Sequence, residues 1–217
     1  GDLKIPHEKK ALIADARAAT GLSDFGPDQS FMTGFRRLVD AVEAMDPPAQ
    51  LRETAHRKIV GLLATRLRFA EDERLHPDIV AQDVGDPLIV CGLPRTGTTI
   101  TYDLLCLDPA ARAPREWEWY IPWPAPEVSS FDSDPRIAQV QAIYENWLKH
   151  APQLADIQRM DCTKPGECNH GMMLHFASTN FPAELGVPAF ARWLQDVVPE
   201  GQYRTHKRML QHFQWKG

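Results

Sequence analysis

Basic excess is missing from this sequence: its 217 residues carry 24 Lys and Arg against 29 Asp and Glu, a formal net charge of -5 at pH 7. Nucleic acid and anionic membranes select for broad cationic faces, so neither is an expected partner and any anion site has to be local. Long apolar runs are missing as well. No stretch approaches the ~18 consecutive apolar residues of a membrane span, and no charged-then-apolar leader opens the chain. Together these absences predict a cytoplasmic protein without an integral membrane segment. Cysteine is sparse: Cys91, Cys106, Cys162 and Cys168 form no C-x-x-C pair, which fits a reducing compartment and gives no thiolate metal site. There is no internal repeat, and composition leaves room for a homo-oligomer.

Helical periodicity dominates the first third of the chain. Leu51, Ala55, Ile59, Leu62, Leu63 and Leu67 recur at the 3.6-residue spacing of one buried helix face. Gly26-Pro27 and Pro47-Pro48 divide residues 6–75 into three helices, because proline removes a donor and biases its predecessor out of the helical region. Residues 1–84 are therefore read as a helical N-terminal subdomain, and 85–217 as part of an α/β domain. In the latter, "PLIVC" at 87–91 is a non-alternating apolar run, the pattern of a strand buried on both faces of a parallel sheet. A helix is predicted from Thr98 to Leu107, with Ile100, Leu104, Leu105 and Leu107 as its apolar face. Residues 112–135 hold five prolines among three tryptophans, too much proline for a helix and too much indole for a disordered linker. An ordered, irregular segment is expected there, followed by helices near 137–151, 167–178, 188–197 and 201–214.

Between strand and helix lies "GLPRTGTT", residues 92–99, which matches the phosphate loop G-x-x-x-x-G-K-[ST] except that Thr98 stands where lysine belongs. Backbone N–H groups and the positive end of a helix dipole converge at such a turn and bind tetrahedral anions. Without the lysine that reaches the β- and γ-phosphates, nucleoside triphosphate chemistry is disfavoured. Arg95 supplies the cation from another position in the loop, as a planar fork suited to an oxyanion.

The segment "GLPRTGTTITYDLLCLDP" resembles the 5′-phosphosulfate loop and following helix of the PAPS-dependent sulfotransferases, with Pro94 to Thr99 matching P-[KR]-[ST]-G-[ST]-[ST] position by position. "PREWEWYIPWPAPE" is similar to a further segment of a mostly bacterial group of that family, and "KPGECNHGMMLHFAS" resembles it more faintly. The resemblance implies a phosphate-loop fold, a parallel sheet flanked by helices. It implies 3′-phosphoadenosine 5′-phosphosulfate as donor, held by Pro94, Arg95, Thr96, Gly97, Thr98 and Thr99, with adenosine 3′,5′-bisphosphate as product. A small apolar or phenolic hydroxyl compound is the implied acceptor, and no metal is implied. The family's 3′-phosphate residues, an arginine and a serine, are expected beyond Gly217, since the chain stops at "QWKG" and both its ends read as cuts.

Sulfuryl transfer to an alcohol needs a base for the hydroxyl proton and positive charge on the leaving oxygen. Arg95 suits the second role. For the base, the resemblance points about twenty residues past the loop, where Glu116 and Glu118 lie. Glu118 is the first candidate because it follows Trp117, and indoles on either side could exclude water and raise its pKa. Glu116 is the second, and His170 and His175 are the histidine alternatives. A phosphate-loop nucleotide kinase or other NTPase, and a non-catalytic nucleotide-binding module, are the competing readings.

Overall fold

A computed structural model describes residues 7–93, 95–197 and 200–216. Its helices are α1 (His7–Thr20), α2 (Phe31–Glu43), α3 (Ala49–Leu75), α4 (Thr98–Leu105), α5 (Glu116–Tyr120), α6 (Pro135–His150), α7 (Leu154–Ile157), α8 (Asn169–Met172), α9 (Asn180–Leu185), α10 (Pro188–Leu194) and α11 (Glu200–Trp215). The chain divides into two compact units, one of residues 1–81 with 169–208, the other of residues 82–168 with 209–217.

In the first unit the proline and glycine breaks separate α1, α2 and α3, and α1 packs along α3. Phe31, Phe35, Leu38, Val39 and Val42 fall on one face of α2 at helical spacing and are buried with Ile59, Leu63 and Leu67 of α3. Residues 169–208, placed with the second domain on sequence grounds, contribute Phe176, Phe181 and Phe190 to this same core. Phe176 joins the elements, its ring 5.5 Å from Phe35 and 6.1 Å from Phe181. Its backbone lies in the left-handed region at φ 56°, and Gly34 permits the approach, since a Cβ there would lie 2.1 Å from the Phe176 carbonyl oxygen. Truncating one of these phenylalanines would cost about 3–5 kcal/mol.

The second unit is built around Trp117, Val140, Tyr144 and Cys162. Pro135 opens α6 at its first position, and the Asp134 carboxylate accepts from the Arg136 backbone N–H at 2.9 Å. The Arg136 guanidinium then binds Asp134, donates to the carbonyls of Ile121 and Pro124, and lies 4.5 Å from the Trp117 ring centre. That buried fork orders the proline-rich segment. Trp119 meets Phe213 edge-on at 5.3 Å.

Residues 87–91 differ from the sequence expectation. Among the described residues they pair with no neighbouring strand, and Leu88 and Ile89 are 77% and 60% exposed. A strand exists only through hydrogen bonds to a neighbour, and the described residues supply none to this segment. The same holds for α4, whose Ile100, Leu104 and Leu105 are exposed although the helix forms where periodicity places it.

Candidate functional site

The loop of residues 92–99 closes by two left-handed residues. Arg95 has φ 67° and Gly97 φ 89°, and Gly97 forms the N-cap of α4. Gly97 adopts this conformation without penalty, whereas Arg95 holds it under strain of about 1 kcal/mol or more. Gly92 is required at the loop's start, because a Cβ there would lie 2.7 Å from both the Thr96 hydroxyl and the Thr98 methyl. Thr96 Oγ1 donates to the Leu93 carbonyl at 2.7 Å and locks the turn. Pro94 lies outside the described residues.

The loop thus delivers the chain into the first turn of α4, where the leading N–H groups have no intrahelical acceptor. Thr101 is the first residue to bond back, to the Gly97 carbonyl at 3.1 Å. Backbone N–H groups at a helix start, threonine hydroxyls such as that of Thr98 and an arginine such as Arg95 are groups of the kind that can donate to a tetrahedral anion. The Arg95 guanidinium donates to the carbonyl of Ile157, at the end of α7.

The two glutamates occupy contrasting environments. α5 begins where residues 114–117 pair with 162–166: Arg115 bridges Pro165, Glu116 N donates to Lys164 O at 2.9 Å, and Gly166 N donates to Pro114 O at 2.9 Å. Gly166 is obligatory, since a Cβ would come within 2.8 Å of the Glu116 Cα. Glu118, fully buried, folds back over the start of the helix. Its Oε2 accepts from the Arg115 backbone N–H at 2.7 Å and its Oε1 from Arg112 Nη2 at 2.8 Å. This is the reciprocal arm of a capping box, with an arginine at the N-cap. Burial pushes the Glu118 carboxyl above its usual range, opposed by Arg112 and Arg115.

Glu116 has no such engagement of both oxygens. Its Oε2 is buried without a hydrogen-bond partner. Burial, and then the negative charge of Glu167, raise its pKa to about 7, against the opposing pull of the Glu167 backbone N–H, the Tyr144 hydroxyl and Arg159. A carboxyl that titrates near neutrality is half ionised at working pH and can both accept and return a proton. Tyr144 in turn has its phenol pushed above the ordinary range, by burial first and by Glu116 second.

Arg159, Tyr102 and Tyr144 were not singled out from sequence. Arg159 pairs with Asp103 of α4, donates to the Pro165 carbonyl and lies 5.9 Å from the Tyr102 ring centre. The Tyr102 side chain shares a hydrogen bond with Thr99 of the loop. No motif marks these residues, whose spacing in the chain carries no signal.

His170 and His175 belong to the first unit, whereas the loop and both glutamates belong to the second. Burial lowers the His170 pKa to about 3, and burial with the nearby Arg66 charge lowers that of His175 to about 4. His175 Nδ1 lies 3.1 Å from the Thr205 hydroxyl. Among the described residues no cluster of His, Cys, Asp and Glu could hold a metal ion, and no helix is long and apolar enough to cross a membrane.

Comparison with known proteins adds an independent line. A family model described as "Sulfotransferase family" matches residues 87–216. Among solved structures the chain is similar to sulfotransferase STF1 of Mycobacterium tuberculosis H37Rv, at 27% identity over 93% of this chain and 56% of that one, with a TM-score of 0.75. It is likewise similar to sulfotransferase STF9 of Mycobacterium avium, at 26% identity over 100% of this chain and 56% of that one, with a TM-score of 0.79. The chain spans just over half the length of these proteins. No curated protein matches.

Proposed function

Because the chain belongs to the sulfotransferase family, we propose that it serves sulfuryl transfer from 3′-phosphoadenosine 5′-phosphosulfate to a hydroxyl of a small apolar or phenolic acceptor. The observation that carries this reading is the loop itself: Arg95 and Gly97, both left-handed, open into the free N–H groups of α4 within the family-matched region. The residues present fit a phosphosulfate. Arg95, Thr96, Gly97, Thr98 and Thr99 supply one fork, the hydroxyls of Thr98 and Thr99 and the backbone donors of the turn that Thr96 locks, with Pro94 in the same run of sequence. When bound, the donor supplies the sulfuryl group.

The chain's own residues then divide the work. The loop donors would orient the phosphosulfate, and Arg95 would neutralise the charge left on the departing phosphate oxygen when its bond to sulfur breaks. Leaving Ile157 frees the guanidinium for this role. Glu116 takes the acceptor's proton as the new sulfur–oxygen bond forms. It is preferred to Glu118, whose two oxygens already accept hydrogen bonds, because a base needs a free lone pair within reach of the proton. Glu118 serves instead to start α5 and thereby to aim Glu116. Cytoplasmic activity and independence of metal belong to the same reading.

The experiment is a mass-spectrometric screen of hydroxylated compounds with the sulfate donor, run beside calorimetric titration with adenosine 3′,5′-bisphosphate. Binding and transfer support the reading. Turnover of ATP with magnesium, and no bisphosphate binding, would refute it in favour of a kinase-like activity, and binding with no transfer to any acceptor would favour a nucleotide-binding module.

A further inference from the structure

Helix α4 carries the donor loop, yet it buries none of its own residues. Apolar packing therefore does not fix its orientation among the described residues, and polar ties must. Two of these ties run to one short segment. Arg95 of the loop donates to the Ile157 carbonyl, and Arg159, two residues on, reaches back to the Asp103 carboxylate of α4.

The Arg159 guanidinium has three further neighbours. Its Nη2 donates to the Pro165 carbonyl, in the stretch whose partners at 114–117 hold the start of α5. Its charge also acts on Glu116 and on Tyr102, whose side chain is bonded to Thr99. One planar fork thus touches the helix behind the loop and the backbone behind the glutamate. A bidentate guanidinium holds two partners in fixed mutual geometry, which a point charge cannot do.

We propose that Arg159 is a positioning residue that holds the donor loop, through Asp103 and Tyr102, in register with the Glu116 carboxylate. This rests on the sulfotransferase reading above. Transfer between two bound groups depends steeply on their alignment, and a displacement of about 1 Å can cost ~100-fold. Arg159 sets that alignment, and its positive charge favours the ionised form of Glu116.

The charged and titratable groups around the pair are Asp103 and Tyr102 from α4, Glu116 from α5, Tyr144 from α6, and Asp161, Cys162 and Glu167 from the segment that follows Arg159. Removing the guanidinium leaves Glu116 facing mostly negative or neutral neighbours. Neutralising Asp103 does the opposite, because the Arg159 charge is then less compensated.

The test uses Arg159→Met, Arg159→Lys and Asp103→Asn, with calorimetric titration of adenosine 3′,5′-bisphosphate and carbon-13 titration of the Glu116 carboxyl, neither of which needs turnover. Arg159→Met should weaken bisphosphate binding about ten-fold and move the Glu116 midpoint upward from near 7. Asp103→Asn should also weaken binding but move the midpoint downward. Arg159→Lys should restore the midpoint without restoring the affinity, because lysine keeps the charge and loses the fork. A role confined to folding would lower thermal stability in all three and leave the midpoint in place, which would overturn the proposal. So would wild-type affinity in Arg159→Met. Should that variant fail to fold, the opposite-signed shift in Asp103→Asn decides the matter. Failure of the wild-type protein to bind the bisphosphate would instead overturn the sulfotransferase reading on which the proposal stands.

Discussion

Glu116→Gln should make the protein a poorer enzyme and a more stable one at alkaline pH. The carboxyl titrates near 7 in the folded chain against 4.5 ordinarily. At ~1.4 kcal/mol per pKa unit, ionising it in place costs the fold roughly 3 kcal/mol. The sign follows from proton linkage: between pH 4.5 and 7 the folded chain binds the proton more tightly than the unfolded one, so stability falls as pH rises. The protonated form contributes fully below pH 4.5, and its contribution is lost as pH passes 7. Glutamine keeps the shape and cannot ionise. The variant should therefore match the wild type near pH 5 and exceed it at pH 8.5, by several degrees at roughly 2–4 °C per kcal/mol for a chain of this size. Its turnover should fall by ~10² to 10⁴, and the acidic limb of its kcat/KM profile should vanish. Thermal melts across pH 5 to 8.5 and steady-state kinetics on the same preparations check both halves. A variant less stable than wild type at pH 8.5 would show that the carboxylate is a satisfied ion-pair partner, and undiminished turnover would remove Glu116 from the chemistry.

Arg95→Ala should weaken adenosine 3′,5′-bisphosphate binding and reduce transfer by ~100-fold or more, since only neutral donors would remain against a multiply charged ligand; calorimetry and kinetics read it, and wild-type turnover would refute the loop assignment. Glu118→Ala should destabilise the fold by about 2–3 kcal/mol, because the half-buried pair with Arg112 and the cap of α5 are both lost. Its bisphosphate affinity should stay near wild type, and a large loss of turnover in a stably folded Glu118→Gln would return the base role to that residue. His175→Gln should flatten the acid side of the stability profile. The His175 pKa of about 4 lies below the ordinary 6.5, so its contribution is present above pH 6.5 and is lost as pH falls through 4. Urea unfolding at pH 7, 5.5 and 4.5 measures this, and an unchanged slope would count against it.

The parts of this molecule that sequence reveals are those decided locally. Proline and glycine pairs separate α1, α2 and α3, and the 3.6-residue stripe on α3 identifies its buried face. The turn at 92–99 is legible because Gly92 and Gly97 answer steric demands within eight residues. The choice between Glu116 and Glu118 is not local. Both lie in one helical turn beside tryptophans, and only the pairing of 114–117 with 162–166 leaves Glu116 half-buried with one carboxyl oxygen unpartnered while Glu118 closes on Arg115. A capping box is normally announced by serine or threonine, and arginine at that position hides it. Arg159 is invisible for the same reason, since its partners at 102, 103, 116 and 165 meet only in space. The "PLIVC" run shows the reverse limit: its composition fits a buried strand, but composition cannot provide the neighbour a strand requires.

Leu88, Ile89, Leu93, Ile100, Leu104 and Leu107 lie uncovered between residues 88 and 107, and this governs how the 217-residue chain behaves in a tube. Among the described residues, 87–91 have no strand partner, and their side chains are uncharged and β-prone, a combination that favours edge-to-edge assembly. Self-association should therefore begin here rather than at the aromatic core, and it should be promoted by sulfate or phosphate salts, which strengthen apolar burial. Leu88→Lys would act as a gatekeeper on this stretch while leaving residues 92–99 unchanged. Protein intended for donor titrations is best kept dilute and in chloride, because these uncovered side chains are continuous in sequence with the loop proposed to bind the donor.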